Sequence, residues 1–341
     1  MIRILLADDS LLVRMVLRDA LNSAADITVV AEAGNGVEAV TLTELHKPDM
    51  IIMDILMPVM GGLEATEAIM ARFPVPILIL SATVSEKDLN LAFTAIKKGA
   101  LDVMGKPSLN TPENKQEFID KLIEKIRLLS RIKVIHHIQG VREQPLLAVA
   151  PQSGASRKIL AIGASTGGPK AVMSIIRTLP ADFNAAVFIV QHISSGFAKG
   201  FAQWLNMECL IPVRLAEDGD KLRFGEALVA PTDRHLLLEK GIVRFSDAPP
   251  VNCCRPSIDV FFSSLATEYA GQTAAVLLTG MGRDGAAGLA DIKEHGGRTI
   301  VQDEKTSVVF GMPKAAIALN AADEILPLGD IPAALSNIFS R

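Results

Sequence analysis

Two α/β domains in tandem are predicted for this 341-residue chain, and three observations predict them. Short apolar runs alternate with stretches of helical period, first over residues 1 to about 107 and again from Arg157 onward. Between the two blocks lies a segment mixing Gly140, Pro145, Pro151, Ser153 and Gly154. The length is about twice that of a domain of roughly 150 residues. The first block reads as a doubly wound, five-stranded parallel domain. The second reads as a mainly parallel α/β domain with a small antiparallel hairpin. The expected boundaries are 1–138, a linker over 139–156, and 157–341.

In the first domain strands are expected at Ile2–Ala7, Ile27–Ala31, Met50–Asp54, Ile77–Ser81 and Leu101–Met104. Helices such as Leu11–Leu21 and Glu86–Lys98 lie between them, which calls for parallel strands joined by right-handed crossovers. A further helix opens with Thr111 as cap and Pro112 at its first position. Its apolar face, Phe118, Ile119, Leu122, Ile123, Ile126, Leu129 and Ile132, repeats every three or four residues. It runs into Arg127, Arg131, Lys133, His136 and His137, cations favoured at a helix C-terminus. The segment 139–156 reads as a linker, with Leu146, Leu147 and Val149 packing on something.

In the second domain strands are expected at Lys158–Gly163, Ala186–Gln191, Ala274–Thr279 and Thr299–Gln302. Helices are expected at Pro169–Thr178, Phe197–Asn206, Ser257–Ala270 and Ala286–His295. Three short segments, Ala227–Ala230, His235–Glu239 and Ile242–Phe245, read as antiparallel strands, with Lys240-Gly241 as a turn.

Composition narrows the function. Hydrophobic residues are 49% and charged residues 21%, enough to bury a core. The net charge of −4 lacks the basic footprint that holds a phosphate backbone, against a nucleic-acid partner. No apolar run approaches the roughly 18 residues that span a bilayer, and Asp8-Asp9 come too early for a signal-peptide core. Cys209, Cys253 and Cys254 form neither a disulfide framework nor a CxxC pair. A cytoplasmic protein with no membrane insertion is expected.

Open parallel sheets gather chemistry at the carboxyl ends of their strands. Here the first expected strand ends in Asp8-Asp9, the third in Asp54 and the fourth in Ser81; Lys106-Pro107 follow the fifth. Three carboxylates around one point repel unless a cation joins them, and an oxygen-only set suits magnesium. A lysine and a hydroxyl beside them can hold phosphoryl oxygens. One carboxylate, Asp54, could attack a phosphoryl donor to give an acyl phosphate. A single Asp before a helix is common; four coincident placements with a lysine are not.

Ala7-Asp8-Asp9-Ser10, Asp54 with Met57-Pro58 and Gly61-Gly62, Ser81-Ala82 and Lys106-Pro107 resemble the receiver domain of a two-component response regulator. The resemblance implies Asp54 as phosphoacceptor and Asp8, Asp9, Asp54 and the Leu56 carbonyl as Mg2+ ligands. It also implies Ser81 as phosphate-sensing hydroxyl, Lys106 as phosphate partner and a histidine kinase as donor. The aromatic residue usual three positions before the lysine is replaced by Val103.

The second domain's first strand runs into Gly163-Ala164-Ser165-Thr166-Gly167, a G-x-S-x-G pattern at a strand-to-helix turn that exposes its serine. The competing phosphate-binding turn would need a glycine where Ser165 stands. A serine nucleophile needs a base and a group that orients the base. Of six histidines only His192 ends the next parallel strand, 27 residues on, where neighbouring strand ends lie about 5 Å apart. Asp284, in the loop Gly280–Gly288, is expected on the same edge, with capping of the following helix as the competing reading. Asp218 and Asp220 read as surface.

Residues 163–168, Gln191-His192, Ala230-Pro231 with Asp233–His235, Arg255–Asp259, Leu278–Gly285 and Gln302–Ala316 resemble the catalytic domain of the chemotaxis protein-glutamate methylesterases. The resemblance implies a phosphorylation-activated serine esterase that hydrolyses glutamate γ-methyl esters on methyl-accepting chemoreceptors and deamidates their glutamines. Implied roles are Ser165 as nucleophile, His192 as general base and Asp284 as its partner, with Thr166 and Met281 bordering the oxyanion and no cofactor in the esterase site. Cys253-Cys254 stand where this family often has a histidine, and are expected only to pack. The alternative is a response regulator whose second half is a non-catalytic nucleotide- or partner-binding module.

Overall fold

Runs such as Ile4-Leu5-Leu6 and Ile51-Ile52-Met53 have no polar alternation, so they are stable only where both sheet faces are covered. A computed structural model describes residues 1–81, 86–106, 112–132, 134 and 158–339, and in it these runs are buried. The chain divides into two compact units, Met1–Arg142 and Glu143–Arg341, each described here by itself.

The first unit runs β1 (Ile2–Ala7), α1 (Leu11–Asn22), β2 (Ile27–Ala33), α2 (Gly36–His46), β3 (Met50–Asp54), α3 (Gly62–Arg72), β4 (Ile77–Ser81), α4 (Glu86–Lys97), β5 (Asp102–Gly105) and α5 (Pro112–Leu129). Its five strands are all parallel, in the order β2-β1-β3-β4-β5. The order reverses between β1 and β3, so a crevice opens outside their carboxyl ends, where Asp8 and Asp54 stand. On α5, Leu122, Ile126 and Leu129 are fully buried, as their spacing predicts. The helix stops at Leu129, before Ile132. Thr111, Lys133, His136, His137 and the expected linker 139–156 lie outside the described residues.

The second unit runs β6 (Ile159–Ala164), α6 (Gly168–Ile176), β7 (Ala186–Gln191), α7 (Phe197–Glu208), β8 (Val213–Leu215), β9 (Ala227–Val229), β10 (His235–Glu239), β11 (Ile242–Ser246), α8 (Ile258–Glu268), β12 (Thr273–Leu277), α9 (Ala286–Glu294), β13 (Arg298–Gln302), α10 (Met312–Ala318), β14 (Glu324–Leu326) and α11 (Ile331–Phe339). Seven strands form one sheet in the order β14-β13-β12-β6-β7-β9-β8. Lys240 (φ 49°) and Gly241 (φ 74°) make the left-handed pair that the β10–β11 hairpin turn requires.

One expectation is overturned. Ala227–Val229 is not antiparallel: it pairs parallel to both β7 and β8. Three residues are too few to reveal strand direction, which depends on where the preceding connection returns. The three-residue strands β8 and β14 escaped the pattern for the same reason. The chain builds outward from β6 to one side through β7 and later to the other through β12, so the second sheet reverses at β6. Ser165 follows β6 directly.

Candidate functional site

On the first unit the register Ala7↔Met53 puts the ends of β1 and β3 side by side. Asp8 and Asp54 are buried there while Asp9 is exposed, and one oxygen from each of the three lies within 4.8 Å of the others. Lys106 extends the β5 ladder by donating its amide to the Ser81 carbonyl (2.8 Å), and its Nζ lies 2.7 Å from both Asp8 Oδ2 and Asp54 Oδ2. Burial, with help from the Asp8 charge, raises the Asp54 carboxyl above its usual range against the pull of Lys106. Burial opposes the charge on Lys106, but its bonds to Asp54 and Asp8 outweigh it and hold the ammonium above its usual value. Three carboxylates and no nitrogen or sulfur make a hard donor set that fits Mg2+. Ser81 ends β4 as a buried residue, Leu56 lies two residues past β3 with its side chain exposed, and Val103 is buried in β5.

On the second unit the serine elbow has a local cause. Gly167 adopts φ 75°, and a Cβ there would lie 2.5 Å from Val308, so the turn before α6 requires glycine. Ser165 donates its amide to the Thr279 carbonyl (3.0 Å), and Gln191 Nε2 donates to the carbonyls of Ser165 and His192, both at 2.8 Å. Three strand ends are thereby joined behind the serine. The His192 amide donates to the Ala164 carbonyl at 2.9 Å, which places His192 beside the elbow.

His192 and Asp284 are brought together, with Nε2 2.9 Å from Asp284 Oδ2. Oδ2 also accepts from the Ile258 amide (2.7 Å); Oδ1 accepts from Ser257 Oγ (2.7 Å), Asn252 Nδ2 (3.1 Å) and the Asp259 amide (3.3 Å). Asp284 therefore does not cap the helix that follows it; Gly285 holds that place, and Asp284 binds the first amides of α8 instead. Burial opposes its charge, but these donors, His192 foremost, keep the carboxyl below its usual value. The imidazole is also opposed by burial, yet Asp284 and Cys254 push it up to about 9.

Among the described residues no hydrogen bond joins the Ser165 hydroxyl to His192. The imidazole's other nitrogen, Nδ1, faces the Cys254 thiol, Sγ···Nδ1 3.7 Å. This corrects the expectation that Cys253-Cys254 only pack: Cys253 is exposed, but Cys254 borders the imidazole. Catalytic hydrogen bonds are often long in free enzymes and tighten only with substrate.

The remaining expected residues fall nearby. Thr166 is buried, its carbonyl accepting from Thr279 Oγ1 at 2.9 Å. Met281 is half-buried and follows Gly280, where a Cβ would lie 2.7 Å from Ser165 Cβ. Asp218 is exposed as expected; Asp220, partly exposed, pairs with Arg214 at 2.7 and 3.0 Å. His235, fully buried, accepts from the Ser257 amide at Nδ1 (3.1 Å) and reaches the Pro249 carbonyl with Nε2 (3.1 Å), a structural imidazole. Asn252 went unnoticed in the sequence; its left-handed backbone (φ 51°), a conformation that favours asparagine, shows only in the folded chain.

Comparison with known proteins decides the family. Residues 160–335 match the model of the CheB methylesterase family, and residues 4–132 match that of the response regulator receiver domain. The chain is 44% identical over 337 residues to the protein-glutamate methylesterase/protein-glutamine glutaminase 2 of Anaeromyxobacter dehalogenans, covering 99% of this chain and 97% of that one. This chain belongs to the CheB methylesterase family. A relative from Pyrococcus horikoshii, named protein-glutamate methylesterase/protein-glutamine glutaminase, is 39% identical, with 97% of this chain and 92% of that one covered. The crystal structure of the Thermotoga maritima CheB methylesterase catalytic domain matches with a TM-score of 0.51 and 42% identity, over 53% of this chain and 98% of that one. In this chain a receiver precedes the methylesterase domain, and a receiver domain implies Mg2+-dependent phosphorylation in general. No helix among the described residues is long and apolar enough to cross a membrane.

Proposed function

We propose that this protein is a phosphorylation-activated serine esterase that removes the γ-methyl group from glutamyl esters of chemoreceptors and deamidates receptor glutamines. The receiver spans 1–138, the linker 139–156 and the esterase 157–341. The observation that carries the reading is an imidazole held through one nitrogen by a carboxylate that accepts five hydrogen bonds, at the strand end beside Ser165.

Ser165 Oγ attacks the ester carbonyl carbon while His192 Nδ1 takes the hydroxyl proton. Asp284 holds the Nε2–H and offsets the charge that forms on the ring. The Ser165 amide is bound to Thr279, and backbone N–H groups of Thr166 and Met281, the positions that the family resemblance implies, hold the oxyanion. Methanol leaves with the proton from His192. Water then attacks the acyl-serine, His192 accepts its proton, and glutamate and free Ser165 result. With glutamine as substrate, ammonia leaves in the first half.

In the receiver, Asp54 accepts the phosphoryl group from a chemotaxis histidine kinase, and Asp8, Asp9, Asp54 and the Leu56 carbonyl would hold Mg2+, which supplies charge neutralisation for phosphoryl transfer. Lys106 and Ser81 bind the phosphoryl oxygens, and the added charge relieves inhibition of the esterase. The protein acts in the cytoplasm without nucleic acid, and its esterase chemistry uses only the chain's own side-chain and backbone groups and water.

The test is methanol release from methylated receptor membranes, with and without acetyl phosphate plus Mg2+. Release is expected to rise with the phosphodonor, to stay low in Asp54→Asn, and to vanish in Ser165→Ala. Wild-type release from Ser165→Ala sinks the mechanism. A fragment starting near Arg157 that is no faster than unphosphorylated full-length protein sinks the regulation.

A further inference from the structure

The Cys254 thiol has no task in the reaction above, yet its sulfur lies 3.7 Å from the one imidazole nitrogen that Asp284 leaves open. We propose that His192 Nδ1 and Cys254 Sγ form a binding site for a thiophilic divalent cation of the zinc type, and that occupancy of this site switches the esterase off. The inhibitory consequence rests on the serine-esterase reading; the site itself does not.

Geometry supports the site first. Zinc bonds of about 2.1 Å to nitrogen and about 2.3 Å to sulfur, meeting at a tetrahedral angle, hold the two atoms about 3.6 Å apart. The observed spacing needs almost no movement. A histidine that binds zinc commonly donates its other ring N–H to a carboxylate, which fixes the ring and makes the free nitrogen more basic. Asp284 is in that position. One carboxylate oxygen, the sulfur and an imidazole nitrogen all lie within 4.8 Å of one another, so the aspartate's charge also acts on the ion.

The thiol is held from its own side. Val251 and Cys254 exchange backbone bonds of 3.1 and 2.8 Å across a turn whose middle residues, Asn252 and Cys253, have φ of 51° and 62°. Asn252 is tied to Asp284 and to Asp259 (2.7 Å), which anchors that turn to the site. His192 and Cys254 are both half-buried, so an ion can reach them. The imidazole–thiolate pair prefers zinc, whereas the oxygen-only set of Asp8, Asp9 and Asp54 prefers magnesium. On binding, the thiol proton and the Nδ1 proton of the charged ring pass to solvent, and the Nδ1 lone pair goes to the metal. Nothing is oxidised, and the nitrogen that would take the serine proton is occupied.

The test uses the full chain in excess Mg2+. Added Zn2+ is expected to lower methanol release roughly tenfold or more, with reversal by a chelator, and Cys254→Ser or Cys254→Ala to raise the half-inhibiting concentration by a similar factor relative to its own metal-free rate. Cys253→Ser is expected to remain as sensitive as the parent. Co2+ bound in place of zinc is expected to give a sulfur-to-cobalt charge-transfer band in the near ultraviolet that both Cys254 variants lack. That band is independent of catalysis, so its presence supports the site even where Ser165→Ala contradicts the esterase reading. Cobalt binding without the band, or Cys254 variants as zinc-sensitive as the parent, overturns the proposal.

Discussion

Asp284 reaches His192 at 2.9 Å across 92 residues of sequence, and the same carboxylate takes up the first amides of α8. One buried charge thus aims the imidazole and ties the loop after β12 to the start of a helix packed elsewhere on the sheet. Its two tasks separate by substitution.

Asp284→Asn keeps the shape but puts an amide NH2 where one oxygen accepts, so either the imidazole N–H or an α8 donor loses its acceptor. A fall in turnover of about 10^4-fold is expected, as for a base held in the wrong tautomer. Asp284→Ala additionally strands Ser257 Oγ and the Ile258 amide and leaves His192 without its buried partner, at a cost of about 3–5 kcal/mol. Steady-state methanol release and urea denaturation of the two variants measure the two effects.

As the proposed general base His192 must be unprotonated, and its pKa is pushed up to about 9. Turnover of unmodified protein is therefore expected to rise with pH to a plateau above that value. Cys254 is among the groups that raise this pKa, so Cys254→Ala is expected to move the midpoint down. Stability runs the other way. A folded-state value above the ordinary 6.5 means that protonated His192 stabilises the fold fully below about pH 6.5, a contribution lost as pH rises through 9. A pH–rate profile and denaturation at pH 6 and 10 check both signs.

Gly280→Ala would place a methyl group 2.3 Å from Met312 Sδ and 2.7 Å from Ser165 Cβ. The methionine can yield; the serine elbow, bonded through Ser165 N to Thr279, cannot do so without moving Oγ. A loss of about 1–3 kcal/mol in stability is expected. A larger proportional loss in kcat than in KM is expected with it. Retention of full kcat would mean that Met312 absorbs the whole change.

Lys106→Ala leaves Asp8 and Asp54 buried beside each other without the ammonium that lies 2.7 Å from both. Removing one partner of a buried ionic cluster costs about 3–5 kcal/mol. Receiver unfolding is expected at lower temperature, and added Mg2+ is expected to recover part of the loss by binding the folded state only. Thermal denaturation of the variant with and without Mg2+ reads this out.

Several of these residues were legible in the linear pattern. Asp8, Asp54 and Lys106 each follow or end an apolar run, and strand ends in a parallel sheet collect at one edge. Ser165 stands in a glycine pattern whose left-handed Gly167 has few other uses. His192 was found because it alone of six histidines ends a parallel strand. In contrast, the direction of Ala227–Val229 and the existence of β8 and β14 were not readable, since three residues carry too little periodicity.

Strand runs, turn glycines and the charged residues at strand ends follow from local periodicity and backbone sterics, and for these the amino-acid order was enough. Which groups touch across long separations was decided only by the folded chain. Cys254 meets His192, and Asn252 meets Asp284, because a tight turn and a helix start from distant stretches are packed against one sheet edge. Such contacts arise from burial and mutual hydrogen bonding among many elements at once, and no spacing along a single strand or helix encodes them.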